Sequence, residues 1–347
     1  MSARDPGAPD RSGTGRRLPR LLATGSALAA VSAVGYAVER RVVRQWRAGP
    51  AELAAAGLAV PDDVVRHDVT VSDGGRLHVV ERGDGPPLVL VHGVTLQSAV
   101  WALQLRQLAD RYRVLVIDQR GHGRSVAGTG GYLFDRLAED LIEVLGALRV
   151  HRAVLVGHSM GGMVAETAAL DHPDRLARHV AGLVLVATSA DTFGRGRVGD
   201  RVRAASSAAS QAGLRLAAER GWGIFPHQDV STFVARASFG AGPRPADVEF
   251  TRSMIAAMEP GAMAELTASL LDFSVADRLG EIALPTAVVV GTHDLLTPPR
   301  AARVLAAGIP GASLTMLPGS GHMVMLERPD DLARVIDGLS THLGPTT

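Results

Sequence analysis

Val154-Leu155-Val156-Gly157-His158-Ser159-Met160-Gly161-Gly162 decides how the rest of this 347-residue chain reads. Three apolar residues suited to a buried strand run directly into a glycine-flanked serine, and the Met163 to His172 stretch that follows (MVAETAALDH) is helical in character. A strand that turns so sharply into a helix holds its corner residue in a strained backbone conformation, and glycines two positions to either side clear space for the turn. The corner hydroxyl is thereby exposed, and the first N–H groups of the helix point to where negative charge develops during attack on a carbonyl. A helix-capping serine in a glycine-rich turn would give the same pentapeptide. The strand before it and the helix after it favour a nucleophile.

Outward from the serine, short apolar runs alternate with longer helical patterns. Strands are expected at Val64 to Val71, Leu77 to Glu81, Leu88 to Val91, Val114 to Ile117, Val154 to Val156, Leu183 to Ala187, Ala287 to Val290 and Ser313 to Leu317. The first two alternate in polarity and read as an antiparallel hairpin around Asp73-Gly74-Gly75. From Leu88 onward the runs are almost continuously apolar, as in parallel strands covered on both faces. Phe134 to Leu148 places apolar residues three and four apart, the mark of an amphipathic helix between strands. The repeat of strand, helix and strand predicts a mostly parallel eight-stranded α/β sheet with helices on both faces.

Two core segments follow, 60–190 and 281–345, separated at 191–280 by a helical, loop-rich insertion after the sixth strand that reads as a cap. Residues 1–50 form a basic leader. It holds nine arginines against Asp5, Asp10 and Glu39, which leaves the rest of the chain mildly acidic although the formal net charge is +1. All 36 basic residues are arginine. No basic stripe stands out on the body, so no nucleic-acid partner is expected. The absence of cysteine excludes disulfides, thiolate metal sites, a cysteine nucleophile and lipid attachment through cysteine.

Within the leader, Leu21 to Val38 is an uncharged run about long enough to cross a bilayer, with Arg16, Arg17 and Arg20 before it and Arg40, Arg41 and Arg44 after it. A retained anchor, a cleaved signal peptide and a soluble extension are the three readings. Helical character that continues from Glu39 to Trp46 favours the anchor, and with it a membrane-anchored or exported protein, the cytoplasm staying open.

A serine needs a base, and the base needs an acid. His322 follows the last strand in Pro318-Gly319-Ser320-Gly321-His322, on the sheet edge that carries Ser159. Asp294 follows the seventh strand in Gly291-Thr292-His293-Asp294, with Asp191 as the alternative acid. The resulting chain order is Ser, Asp, His. Two N–H donors must hold the oxyanion: the backbone of Met160, directly after the serine, and that of Val94 in His92-Gly93-Val94 after the third strand. His92 is expected to brace that loop, and His158 to point away from the chemistry.

The pieces His92-Gly93, Asp118-Gln119-Arg120-Gly121-His122-Gly123-Arg124-Ser125, the turn at Ser159, the Asp294 loop and the His322 loop together resemble the α/β-hydrolase fold family, in its capped, esterase-like and lipase-like branch. The resemblance spans about Val64 to Leu343. It implies a structural role for the turn at Asp118 to Ser125. Relatives that open epoxides or cleave carbon–halogen bonds carry an aspartate at the corner, and the epoxide enzymes use cap tyrosines as well. The corner here is Ser159, and the only tyrosines, Tyr36, Tyr112 and Tyr132, precede the insertion. The three-glycine run of some esterases is missing after His92, which makes bulky tertiary-alcohol esters less expected.

The expectation is a serine hydrolase that cleaves a small-to-medium apolar carboxylic ester through an acyl-enzyme, needing no metal or cofactor. Lactones, thioesters and the carbon–carbon bonds of ring-cleavage products suit the same triad, and a silent binding protein on the same fold is the alternative of another class. Trp222, Phe225, Phe233, Met254, Met258 and Met323 are the candidate lining of an apolar substrate pocket, with Arg195, Arg197 and Arg236 as cations in the insertion.

Overall fold

A computed structural model of the chain describes residue 41 and residues 43–192 and 228–344. The hydrophobic stretch 21–38 lies outside the described residues. Among them, no helix is long and apolar enough to cross a membrane.

All eight expected strands form: β1 (Val65–Thr70), β2 (Arg76–Arg82), β3 (Pro87–Val91), β4 (Arg113–Ile117), β5 (Ala153–His158), β6 (Val180–Val186), β7 (Thr286–Gly291) and β8 (Ser313–Leu317). They build one sheet in the order β1-β2-β4-β3-β5-β6-β7-β8. β1 and β2 form the antiparallel hairpin, β2 pairs antiparallel with β4, and every pairing from β3 and β4 through to β8 is parallel.

Helices among the described residues include α1 (Pro50–Ala55), α2 (Ala102–Leu108), α3 (Phe134–Ala147), α4 (Met160–Asp171), α5 (Pro173–Leu176), α6 (Gln228–Ala237), α7 (Pro245–Ala257), α8 (Pro260–Asp272), α9 (Pro299–Gly308), α10 (Val324–Glu327) and α11 (Pro329–His342). Side chains alternate across each strand, so Val89 and Val91 of β3 join Leu115, Leu155 and Val288 beneath α3, α4 and α9, whereas Leu88 and Leu90 join Val114, Val156 and Val289 beneath α2 and α11. This two-faced burial explains the continuous apolar runs, and each such side chain removed from water contributes about 1.5–3 kcal/mol.

α3 buries Leu137, Leu141, Val144 and Leu145 and turns Arg136, Glu139 and Glu143 outward. α4 is buried along its whole length from Met160 to Leu170, which its small residues permit. α6, α7 and α8 lie between β6 and β7, where the insertion was expected. Trp46–Thr347 form one compact unit. The folded body therefore begins earlier than the boundary expected near residue 60: Arg47 pairs with Glu249 of α7 at 3.0 Å, and Trp46 and Leu53 pack on the core. α1 was not expected, because its short Ala-rich sequence has no clear apolar period.

The chain leaves β3 toward β4 on one side and returns to β5 on the other, while β3 and β5 lie side by side. The loops after β3 and β5 thus diverge at the carboxyl ends of adjacent strands, where open α/β sheets form their clefts.

Candidate active site

Ser159 stands at the end of β5 with φ 51° and ψ −119°, a left-handed conformation that costs a non-glycine residue about 1–3 kcal/mol. The turn closes because residues 157 and 161 lack side chains. A Cβ on Gly157 would come within 2.5 Å of the Gly161 carbonyl oxygen, and one on Gly161 within 2.5 Å of the Val91 carbonyl oxygen. α4 starts directly after the serine, and Thr188 donates to the Ser159 carbonyl at 2.8 Å.

Asp294 and His322 come together from the loops after β7 and β8. His322 Nδ1 lies 2.9 Å from Asp294 Oδ2, and both side chains are buried. The carboxylate is fully used: Oδ1 accepts from the N–H groups of Leu296 and Thr297, each at 2.9 Å, and Oδ2 also accepts from the Thr297 hydroxyl at 2.9 Å. Burial alone would raise the Asp294 pKa, but the adjacent His322 ring and these donors hold it below the usual carboxylate range. An ionised Asp294 fixes the Nδ1–H tautomer of His322 and leaves the Nε2 lone pair free of a proton. Asp191, the alternative acid, receives the Ser274 hydroxyl at 3.4 Å, while the bond to His322 is made by Asp294.

The loop after β3 is braced from below. His92 donates through Nδ1 to the Gly93 carbonyl at 2.8 Å and accepts the Gln119 N–H at Nε2, 3.1 Å away. His122 donates through Nδ1 to the Arg120 carbonyl at 3.0 Å and accepts the Thr95 N–H at 3.2 Å. The two rings meet edge to face with centroids 4.9 Å apart. Burial lowers their pKa values to about 4 for His92 and about 3 for His122, so both are neutral at pH 7 and each has one donor and one acceptor to spend. The loop they support carries Val94. Among the described residues, neither the Val94 N–H nor the Met160 N–H has a hydrogen-bond acceptor.

Ser159, His322 and Val94 line one cavity of about 840 Å³, together with Met163 of α4, Ile255 of α7, Met263 and Leu270 of α8, and Leu296 after β7. Of the expected pocket residues, Met323 lines it. Trp222 and Phe225 lie outside the described residues, as do Arg195 and Arg197. Phe233, Met254 and Met258 do not line it. Phe233 is 45% exposed on α6, Met254 is core beneath the α2 and α11 face, and Met258 packs against the opposite core. An apolar residue on an inserted helix can serve the cavity, the core or neither, and sequence spacing does not distinguish the three. Arg236 is also spent elsewhere: it lies 4.9 Å over the Trp46 ring and donates to the Phe239 and Gly240 carbonyls.

Three contributors were missed. Thr297 binds Asp294 and lies 3.2 Å from His322 Nδ1. The His158 ring sits 4.7 Å from that of His322 and shares a 2.9 Å hydrogen bond with its carbonyl through Nε2, so it touches the histidine loop instead of pointing away. Glu327 receives the N–H of Gly321 at 2.9 Å. Adjacency to the motif was a usable signal for His158; for the other two, none existed. Among the described residues, Asp135, Glu139 and His172 form the one cluster spaced to hold a metal ion. It does not line this cavity, and its side chains are engaged, His172 with Asp135 and Glu139 with Arg136.

The family described as "alpha/beta hydrolase fold" matches residues 86–329, a span that includes His92, Ser159, Asp294 and His322. The chain is similar to the pimeloyl-[acyl-carrier protein] methyl ester esterase of Chromobacterium violaceum, with 31% identity over 262 residues, covering 75% of this chain and 96% of that protein. Among solved structures it is similar to a thermophilic esterase from Thermogutta terrifontis, at TM-score 0.67 and 27% identity over 80% of this chain and 99% of that one. It is also similar to the enol-lactonase from Burkholderia xenovorans, at TM-score 0.66 and 25% identity over 79% of this chain and 100% of that one. By matched span, sheet topology and the turn that presents Ser159, this chain belongs to the alpha/beta hydrolase fold family and is a hydrolase.

Proposed function

We propose that the protein hydrolyses small-to-medium carboxylic esters of apolar character through an acyl-enzyme. The observation that carries this reading is the convergence on one mainly apolar cavity of a strained serine, a histidine bonded to a buried aspartate, and the Val94 loop with its unengaged N–H. Ser159 Oγ attacks the ester carbonyl while His322 Nε2 takes its proton, and the tetrahedral oxyanion rests on the N–H groups of Val94 and Met160. The alkoxide leaves with the proton from His322. Water, deprotonated by the same nitrogen, then attacks the acyl-serine, and the acid departs as Ser159 regains its hydrogen. Asp294 keeps the ring in one tautomer and stabilises the imidazolium at each transfer.

Methionines at 163, 263 and 323 suit an acyl or alcohol group of varied shape. The similar protein from Chromobacterium is named as a methyl ester esterase, in keeping with a small alcohol half. Lactone opening is the second reading. It uses the same acyl-enzyme, and the likeness to an enol-lactonase favours it over thioester or carbon–carbon cleavage.

The test is a fluorophosphonate probe with a panel of nitrophenyl esters, lactones and thioesters, run on the wild type and Ser159→Ala. The wild type is expected to label and to prefer esters, and Ser159→Ala to lose label and at least about a thousandfold in kcat. An unlabelled wild type, or a fully active Ser159→Ala, rejects the proposal.

A further inference from the structure

The loop that carries His322 is bound to the inserted segment almost entirely through backbone. The His322 N–H donates to the Ser238 carbonyl at 2.7 Å, the Met323 N–H shares that oxygen at 3.2 Å, and the Ala241 N–H donates to the Gly319 carbonyl at 3.2 Å. The two chains approach so closely that a Cβ on Gly240 would sit 2.1 Å from the Gly319 carbonyl oxygen, and one on Gly321 would sit 2.4 Å from the Gly240 nitrogen. One side chain spans the seam. Glu327 Oε2 accepts the Gly240 N–H and Oε1 accepts the Gly321 N–H, both at 2.9 Å. A single carboxylate therefore takes one donor from the segment between α6 and α7 and one from the residue directly before His322.

Burial opposes ionisation at that position, because it pushes the Glu327 carboxyl above its ordinary range. Two backbone donors at one carboxylate offset part of that cost. The same segment meets the substrate side of the molecule: Val234 and Ser238 line the Ser159 cavity. Residue 321, one peptide from the imidazole, is thus tied to a segment that faces the cavity.

We infer that Glu327 is a positioning residue, whose carboxylate registers the His322 loop against the inserted helices so that the position of α6 at the cavity sets the placement of the imidazole. The inference rests on the Ser159–His322 reading proposed above. A displacement of about 1 Å at a reacting group costs on the order of a hundredfold in rate, so the effect belongs in kcat more than in KM.

The experiment compares Glu327→Gln, Glu327→Ala, Gly240→Ala and the Glu327→Ala/Gly240→Ala pair with the wild type. Steady-state kinetics on a nitrophenyl ester and the rate of fluorophosphonate labelling are measured well below each variant's melting midpoint and referred to titrated sites. Glu327→Gln keeps one good acceptor and is expected to lose a few-fold in kcat, and Glu327→Ala about thirty- to a hundredfold, with KM held within about twofold. Gly240→Ala forces the same seam apart and should match Glu327→Ala, and the pair should be no worse than the poorer single variant, since both break one linkage. If Glu327→Ala does not fold, Glu327→Gln carries the comparison.

Multiplying effects, or kcat and labelling within twofold of wild type in Glu327→Ala (in Glu327→Gln, should the alanine variant not fold), overturn the inference. Those results beside an inactive Ser159→Ala reject only the positioning role. A fully active Ser159→Ala rejects the reading beneath it.

Discussion

Two polar constellations sit close in this fold, and they differ in how completely they are satisfied. In the first, Arg120 is buried with four hydrogen bonds: two to the Asp140 carboxylate at 2.6 and 2.8 Å, one to Asp73 at 3.0 Å and one to the Gly131 carbonyl at 2.8 Å. Arg136 adds a second cation on Asp140 at 2.8 Å. Nothing in that group is left to bind. In the second, the Val94 and Met160 N–H groups have no acceptor among the described residues, the buried His158 Nδ1 has no partner, and Ser159 holds a strained φ. Unspent donors and strain are expensive in a folded chain and persist where a ligand uses them. The first constellation reads as scaffold, and the second is the machinery of the function proposed above.

Breaking the machinery should cost activity without stability. Ser159→Gly is expected to remove at least about a thousandfold of kcat while raising stability by about 1 kcal/mol, because glycine adopts φ 51° without strain. Thermal or denaturant unfolding beside the ester assay checks this, and a destabilised Ser159→Gly would mean that the turn stores no strain.

Breaking the scaffold should do the reverse. Arg120→Met leaves the buried Asp140 and the half-buried Asp73 with one cation fewer, at an expected cost of about 3–5 kcal/mol, while kcat per folded molecule stays within about threefold. A large loss of kcat at full stability would move Arg120 into the machinery and erase the contrast.

The third and smallest effect lies between the two, in the His92 and His122 brace. Both folded pKa values are depressed, to about 4 and about 3, against an ordinary value of 6.5. Below pH 6.5 the unfolded chain takes up a proton at each ring and the folded chain does not. The stability these rings provide is therefore complete above pH 6.5 and lost as pH falls through that window toward 4 and 3. His122→Gln should flatten the fall of the unfolding midpoint between pH 6.5 and 4 by close to one proton's worth of slope, and an unchanged slope would show that His122 is protonated in the fold.

Much of this was legible from residues alone, for physical reasons that differ by element. Strands β3 to β7 announced themselves because burial on both faces demands continuous apolarity, and Ser159 did so because the turn geometry demands glycines at 157 and 161. Asp294 and His322 were legible through their places after β7 and β8, since a parallel sheet brings all its carboxyl ends to one edge. The pocket was not. Met323 lines it whereas Met254 and Met258 fill cores, a choice made by the rotation and tilt of inserted helices that contact several surfaces at once.

By itself, then, the sequence determined the sheet, the turn that presents Ser159, and the order in which serine, aspartate and histidine occur, because local sterics and strand burial act over a few residues. Only the tertiary structure decided that Thr297 and His158 support the Asp294–His322 pair, and that Glu327 ties Gly321 to Gly240. Those contacts join positions 25 to 164 residues apart in the case of Thr297 and His158 with His322, and 87 apart for Glu327 with Gly240. They depend on where whole loops end up, which no local pattern records.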